Sequence, residues 1–254
     1  MTLADAVDAD GRVLNLPQLR AKVLGGQVFA EENVSPSRLA AREMIQKKQA
    51  KFAAKHAAIM AIGAPKPGAS LADTLREVES QISGNRSEIG FAYAEDGTLL
   101  IARQGKKNAI EFSSEDGGVL QRSAVFTHNH PNGSPLSLDD FVAANTFSMR
   151  RVRAVGLEPE TGRRVTYELV RHEASKVASN TNLDATFMRE LKAVYSGDRP
   201  EMIKELNRRL PQAQQTKQSI QRVWNDLIHE RLEKLAAKDT RFTYTRKHER
   251  RNDR

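Results

Sequence analysis

No cysteine occurs among the 254 residues. Disulfides, thiolate metal sites and cysteine nucleophiles are therefore excluded, and any metal site must be built from His, Asp or Glu. Histidine is also scarce: there are six, His56, His128, His130, His172, His229 and His248. No stretch approaches the ~20 consecutive apolar residues that a membrane-spanning helix needs. The first ten residues, Met1 to Asp10, are acidic, where a secretory signal would be basic and then apolar. A soluble, cytoplasmic protein with no membrane partner is the expectation. Internal repeats and long low-complexity segments are missing too, which argues against a solenoid or a disordered array.

What is present is a modest supply of apolar residues and an excess of positive charge. Hydrophobic residues make up 39% and mean hydropathy is −0.58, so a compact core is expected, though not one spread evenly over the chain. The formal charge is +8 and the isoelectric point about 9.8, which implies nonspecific attraction to nucleic acid or acidic partners, here through basic helices. Much of the excess sits in the run from Arg246 to Arg254, which reads as a solvated tail.

Three regions differ in texture. Residues 1–84 read as a helical N-terminal region with a linker near residues 63–70. Residues 85–172 read as an α/β (α+β) unit, and residues 173–254 as a helical region ending in the basic tail. In the first, Val13, Leu14, Leu16, Leu19 and Val23 suggest some docking, and Ser35-Pro36 looks like an N-cap followed by proline at the first helical position. Strong helix formers from Leu39 to Ile62 predict a helix that Gly63 ends. Ser70 opens a shorter helix with Leu71, Leu75, Val78 and Ile82 in one stripe.

In the central region, Glu88 to Ala94 and Thr98 to Ala102 predict two strands joined at Asp96-Gly97. Ala109 to Phe112 predicts a weaker strand, and Ser123 to Thr127 a short strand buried on both faces. A helix carrying Phe141, Val142 and Phe147 should follow Ser137, with strands at Arg151 to Val155 and Val165 to Val170. Beyond it, helices are expected over Leu183 to Tyr195, over Met202 to Leu210, and along a face formed by Ile220, Val223, Trp224, Leu227, Ile228 and Leu235. Trp224 is assigned to packing. Arg241 to Thr245 is a candidate last strand.

The chemistry concentrates at Thr127-His128-Asn129-His130-Pro131. Side chains two apart on a strand point the same way, so His128 and His130 would present two imidazoles to one side and Asn129 would point away. Pro131, Asn132, Gly133 and Pro135 turn the chain, and Ser137-Leu138-Asp139-Asp140 begins a helix whose first turn can bring Asp140 back to the histidines. Two imidazoles and a carboxylate form a common hydrolytic zinc set with one position left for water. Ser-x-x-Asp is equally a plain capping box.

The arrangement resembles the JAB/MPN (JAMM) metalloproteases, and the wording His-Asn-His-Pro-x-Gly is closest to their bacterial RadC-like branch. The resemblance spans residues 85–172 and leaves both helical flanks unexplained. It implies a central sheet with packed helices in cytidine-deaminase-like layering, Zn2+ held by His128, His130 and Asp140, and Ser137 stabilising an oxyanion. It also implies an upstream glutamate as general base. Glu88, at the start of the first strand, matches best, with Glu111 as the fallback and Glu95 less suitable. The implied activity is a peptidase or isopeptidase acting on a protein or peptide substrate. Six residues separate His130 from Ser137, one fewer than usual in that family, so the reach of Asp140 decides whether the set closes.

A noncatalytic reading stands beside it. Similar domains occur in phage-derived head and delivered-effector proteins, and the charged helical flanks would suit an assembly partner. A nuclease reading is weaker, because HNH nucleases place those residues apart on a ββα finger. A Ser-His-Asp triad of Ser137, His128 and Asp140 lacks a nucleophile-elbow context.

Overall fold

A computed structural model of the protein describes residues 36–172, 185–196 and 199–249. The expected docking residues from Val13 to Val23, the Ser35 cap, the start of the helix at Leu183, and the expected tail from Arg250 on lie outside them; its first part is no solvated tail, since Arg246, Lys247 and His248 belong to a strand over Phe242–His248 and Arg246 is paired with Asp226. The chain divides into two compact units, Met1–Ala53 and Ala54–Arg254. Of the first, the described part is the opening stretch of helix α1 (Pro36–Gly63), where Met44, Ile45 and Phe52 are exposed.

The second unit is mixed α/β, and its six-stranded sheet organises everything else. The strands are β1 (Ile89–Tyr93), β2 (Leu99–Gln104), β3 (Val125–Asn129), β4 (Arg151–Leu157), β5 (Arg164–Arg171) and β6 (Phe242–His248). Their order is β2-β1-β3-β4-β5-β6, with β3 and β4 parallel and every other pair antiparallel. The described helices besides α1 are α2 (Leu71–Ile82), α3 (Ser114–Arg122), α4 (Leu138–Thr146), α5 (Ala185–Ser196), α6 (Arg199–Arg209) and α7 (Lys217–Ala236). A parallel pair cannot be joined by a hairpin, and α4 is the crossover between β3 and β4.

Helix α2 begins where expected, with the Ser70 hydroxyl accepting from the Asp73 N–H at 3.1 Å. Its Leu75, Val78 and Ile82 join Phe91, Tyr93, Val125 and Val155 in a core on one face of the sheet. The end of α1 joins them: Ile59 is buried and the Tyr93 hydroxyl donates to the Gly63 carbonyl at 2.8 Å. The other face carries a larger core, in which Phe126, Leu136, Phe141, Val152 and Ala154 meet Leu191 and Leu232 from α5 and α7. Trp224 packs at a third cluster between α6 and α7.

Two further local features differ from what the sequence leads one to expect. Ala109 to Phe112 is not a strand; Lys106 N donates to the Ala109 carbonyl to form a turn. Phe112 is then held by rings rather than by a ladder, 5.2 Å from Phe126 and 5.6 Å from Phe147. Helix α3, which follows, was not expected, and its Gly117 and Gly118 are poor helix formers. A capping box of Ser113 and Asp116 starts it, and Gly117 leaves room for the Phe147 ring. The last strand, β6, pairs with β5 along its whole length, so the chain beyond residue 172 supplies one edge of the sheet. No described helix is long and apolar enough to cross a membrane.

Candidate metal centre

The site begins with the end of β3. Thr127 faces α2, where its hydroxyl donates to Glu79 at 2.9 Å, so the neighbouring His128 faces the opposite layer. The backbone N–H of His130 donates to the Val155 carbonyl at 2.8 Å and extends the parallel ladder one residue past the strand. His128 and His130 therefore keep the two-residue alternation and lie on the same side. Both are buried.

The chain then turns back across β4. Gly133 has φ +59, and a Cβ there would fall 2.3 Å from the Leu157 carbonyl oxygen. A Cβ on Gly156 would lie 2.6 Å from both the Gly133 Cα and the His130 carbonyl oxygen. These are backbone obstacles, so only glycine lets the turn lie flat on β4. Helix α4 starts immediately afterwards, and the short spacer is accommodated. Asp140 in its first turn reaches both histidines.

Three donor atoms converge as a result. His128 Nε2 is 3.0 Å from Asp140 Oδ1 and 2.9 Å from His130 Nε2, and His130 Nε2 is 3.3 Å from Asp140 Oδ2. This buried His-His-Asp group could hold a metal ion. The surroundings fit that purpose. His130 Nδ1 is 2.9 Å from the Ser134 carbonyl, to which it can only donate, leaving Nε2 as the coordinating atom. His128 Nδ1 has no partner, and its ring is held by stacking on Phe126, centroids 5.3 Å apart and planes at 21°.

The charges are tightly coupled. Burial would lift the Asp140 carboxyl, but the two imidazoles hold it well below the usual carboxylate range. Burial also disfavours a charged His130, yet Asp140 and Glu88 outweigh it and lift His130 to about 9.

Ser137 is the N-cap of α4. Its hydroxyl accepts from Asp140 N at 3.2 Å and donates to Asp140 Oδ2 at 2.8 Å, while Ser137 N donates to the same oxygen at 2.6 Å. Glu88 lies just before β1. The pairing of Gly90 with His128, continued outward, sets Glu88 opposite His130 on the same face. It is buried, and burial raises its carboxyl above the normal range, partly offset by His128 and His130. Glu111 is exposed and ion-paired with Lys106 at 2.7 Å. Glu95 is exposed and paired with Arg150.

Several supporting residues carry no sequence signal of their own. Asn129, expected to point away, does so, and its amide grips the segment bearing Glu88. Oδ1 accepts from Ile89 N at 2.7 Å, and Nδ2 donates to the Asn85 and Ser87 carbonyls at 3.2 Å each. On the turn, Asn225 of α7 donates to the carbonyls of Asn132 and Gly133 at 3.3 and 3.2 Å. The Tyr167 hydroxyl donates to Gly133 O at 3.3 Å, and that of Tyr195 to Leu136 O. A fully buried amide side chain must find partners, which marks Asn129 in retrospect. Nothing comparable marks Asn225.

No protein-family model, curated protein or solved structure matches this chain.

Proposed function

We propose that the chain is a zinc-dependent metallohydrolase of the JAB/MPN type, acting as a peptidase or isopeptidase. The observation that carries this reading is the convergence of His128, His130 and Asp140 with buried Glu88 on the same face. Ligand atoms about 2.0–2.1 Å from a tetrahedral zinc stand roughly 3.3 Å apart; with the two nitrogens 2.9 Å apart, Asp140 Oδ1 3.0 Å from one and Oδ2 3.3 Å from the other, the cluster needs a slight opening and one carboxylate oxygen turned to serve as the third ligand. A bound zinc acidifies water and polarises a carbonyl.

The protein's own groups would do the rest. Glu88, with its raised carboxyl, takes the proton of the attacking water and returns it to the leaving nitrogen. Ser137 fixes Asp140 through its hydroxyl and N–H. An oxyanion contact from Ser137 requires that hydroxyl to turn away from Asp140 towards the substrate. Asn129 fixes the height of Glu88 against the histidines.

The test is metal analysis of protein purified without chelators. One zinc per chain is expected, lost in His128→Ala and in Asp140→Ala, together with peptide-bond hydrolysis that depends on it. Metal-free protein that takes up no added zinc would sink the reading. A noncatalytic assembly or delivered-effector role is favoured by one separate observation, the exposed Met44, Ile45 and Phe52 of α1, which suit a protein contact. That role predicts zinc without turnover.

A further inference from the structure

The sheet has a second concave feature on the face away from the metal centre. Helix α2 covers β3 and β4 but leaves the β5–β6 side open, and the step between them is a cleft of about 640 Å³. Five cationic side chains line it, Arg76 from α2, Arg151 and Arg153 from β4, Arg164 from β5 and Lys247 from β6.

These cations are not equally engaged. Arg153 is fully committed, holding both carboxylate oxygens of buried Glu79 at 2.6 and 2.9 Å and Glu168 at 2.6 Å. Arg164 is paired with Glu249 at 2.5 Å. Of the other three, two are held loosely and one is unpaired. Arg151 is 41% exposed and only 3.7 Å from Glu168. Arg76 makes an exposed pair with Asp73, a kind of contact worth little and easily exchanged. Lys247 is exposed and has no carboxylate partner among the described residues.

We infer that this cleft binds the phosphate backbone of single-stranded nucleic acid, independently of the metal centre. A duplex is too wide for a cleft of this size, whereas successive phosphates of one strand can meet Arg76, Arg151 and Lys247. An acidic peptide fits less well: peptide recognition leans on buried apolar anchors, and the only apolar lining is Leu71, Ala72 and Leu75 of α2. With no Phe, Tyr or Trp in the lining and the one imidazole, His248, paired with Glu158, recognition is mainly by charge and indifferent to sequence.

The experiment is fluorescence anisotropy of a labelled 20-nucleotide single strand against the full chain at rising salt. Three phosphates on a single strand imply a log–log salt slope near −2, or about twentyfold weaker binding between 50 and 200 mM. Arg151→Gln/Lys247→Gln should weaken binding about tenfold or more and flatten the slope, with an unchanged melting profile. Lys247→Glu, a single exposed reversal, should weaken it without touching any ion pair. His128→Ala should bind as the parent does, so failure of the zinc reading leaves this one intact.

Three results would overturn it. They are no binding at 50 mM salt, full affinity in the cleft variants, and equal affinity for an acidic peptide of the same length and charge. Inorganic phosphate should compete only in the millimolar range, since one anion meets one cation where a strand meets three.

Discussion

Asn129 Oδ1 accepts a hydrogen bond from the backbone N–H of Ile89 at 2.7 Å, tying the segment that holds Glu88 to the strand that holds both imidazoles. The side chain that separates the two histidines in sequence thus sets Glu88 against both imidazoles. Asn129→Leu removes the acceptor for a buried N–H and should cost about 1–3 kcal/mol in urea unfolding. Zinc content should stay near one equivalent while turnover falls. Equal loss of both would mean that Asn129 merely keeps the protein folded.

Glu88→Gln keeps the shape and removes the proposed base. Zinc binding should be unchanged and peptide hydrolysis should drop by about 10²–10⁴. Glu111→Gln, which alters an exposed residue paired with Lys106, should leave turnover at the parental level. Steady-state kinetics on the two variants with matched zinc loading decides between them.

The lifted pKa of His130 has a sign. Its folded value of about 9 exceeds the ordinary ~6.5, so protonation stabilises the metal-free fold, fully below about 6.5 and no longer above about 9. Metal-free protein should therefore lose thermal stability as the pH rises from 6.5 to 9. Over the same window zinc must displace that proton, so its apparent affinity should rise by about tenfold per pH unit. His130→Ala should abolish both trends, as read by calorimetry and competition with a zinc indicator.

The ligand turn depends on a helix far away in sequence. Asn225→Ala leaves the Asn132 carbonyl without its α7 donor and Gly133 with Tyr167 alone. Outer-shell losses of this kind typically weaken metal binding 10–100-fold. Zinc titration should show that drop, while the helix content by circular dichroism stays constant.

The sequence was most legible where a local pattern coincided with a local cause. Ser70, the Asp96-Gly97 turn and the His-x-His alternation each act within a few residues, and each lies where expected. The convergence of Asp140 on the histidines was foreseeable too, since turn and helix start are contiguous. Residues 109–112 misled because their apolar alternation is satisfied by the Phe126 and Phe147 rings, not by a neighbouring strand. Helix α3 was hidden by Gly117 and Gly118, the first of which makes room for the Phe147 ring at the end of α4. The grip of Asn225 on the turn spans more than ninety positions, and no local pattern encodes it.

The antiparallel pairing of β5 with β6 has a consequence for the order of events during synthesis. β5 is complete at residue 171, but its partner is not made until residue 248. Through that interval the nascent chain carries an open strand edge, with Tyr167 and Leu169 waiting for Tyr244 and Phe242 to close the layer. Helix α7, which brings Asn225 to the ligand turn, also arrives late. Metal capture should therefore mature after translation rather than during it, and chains stopped near residue 172 should aggregate rather than fold.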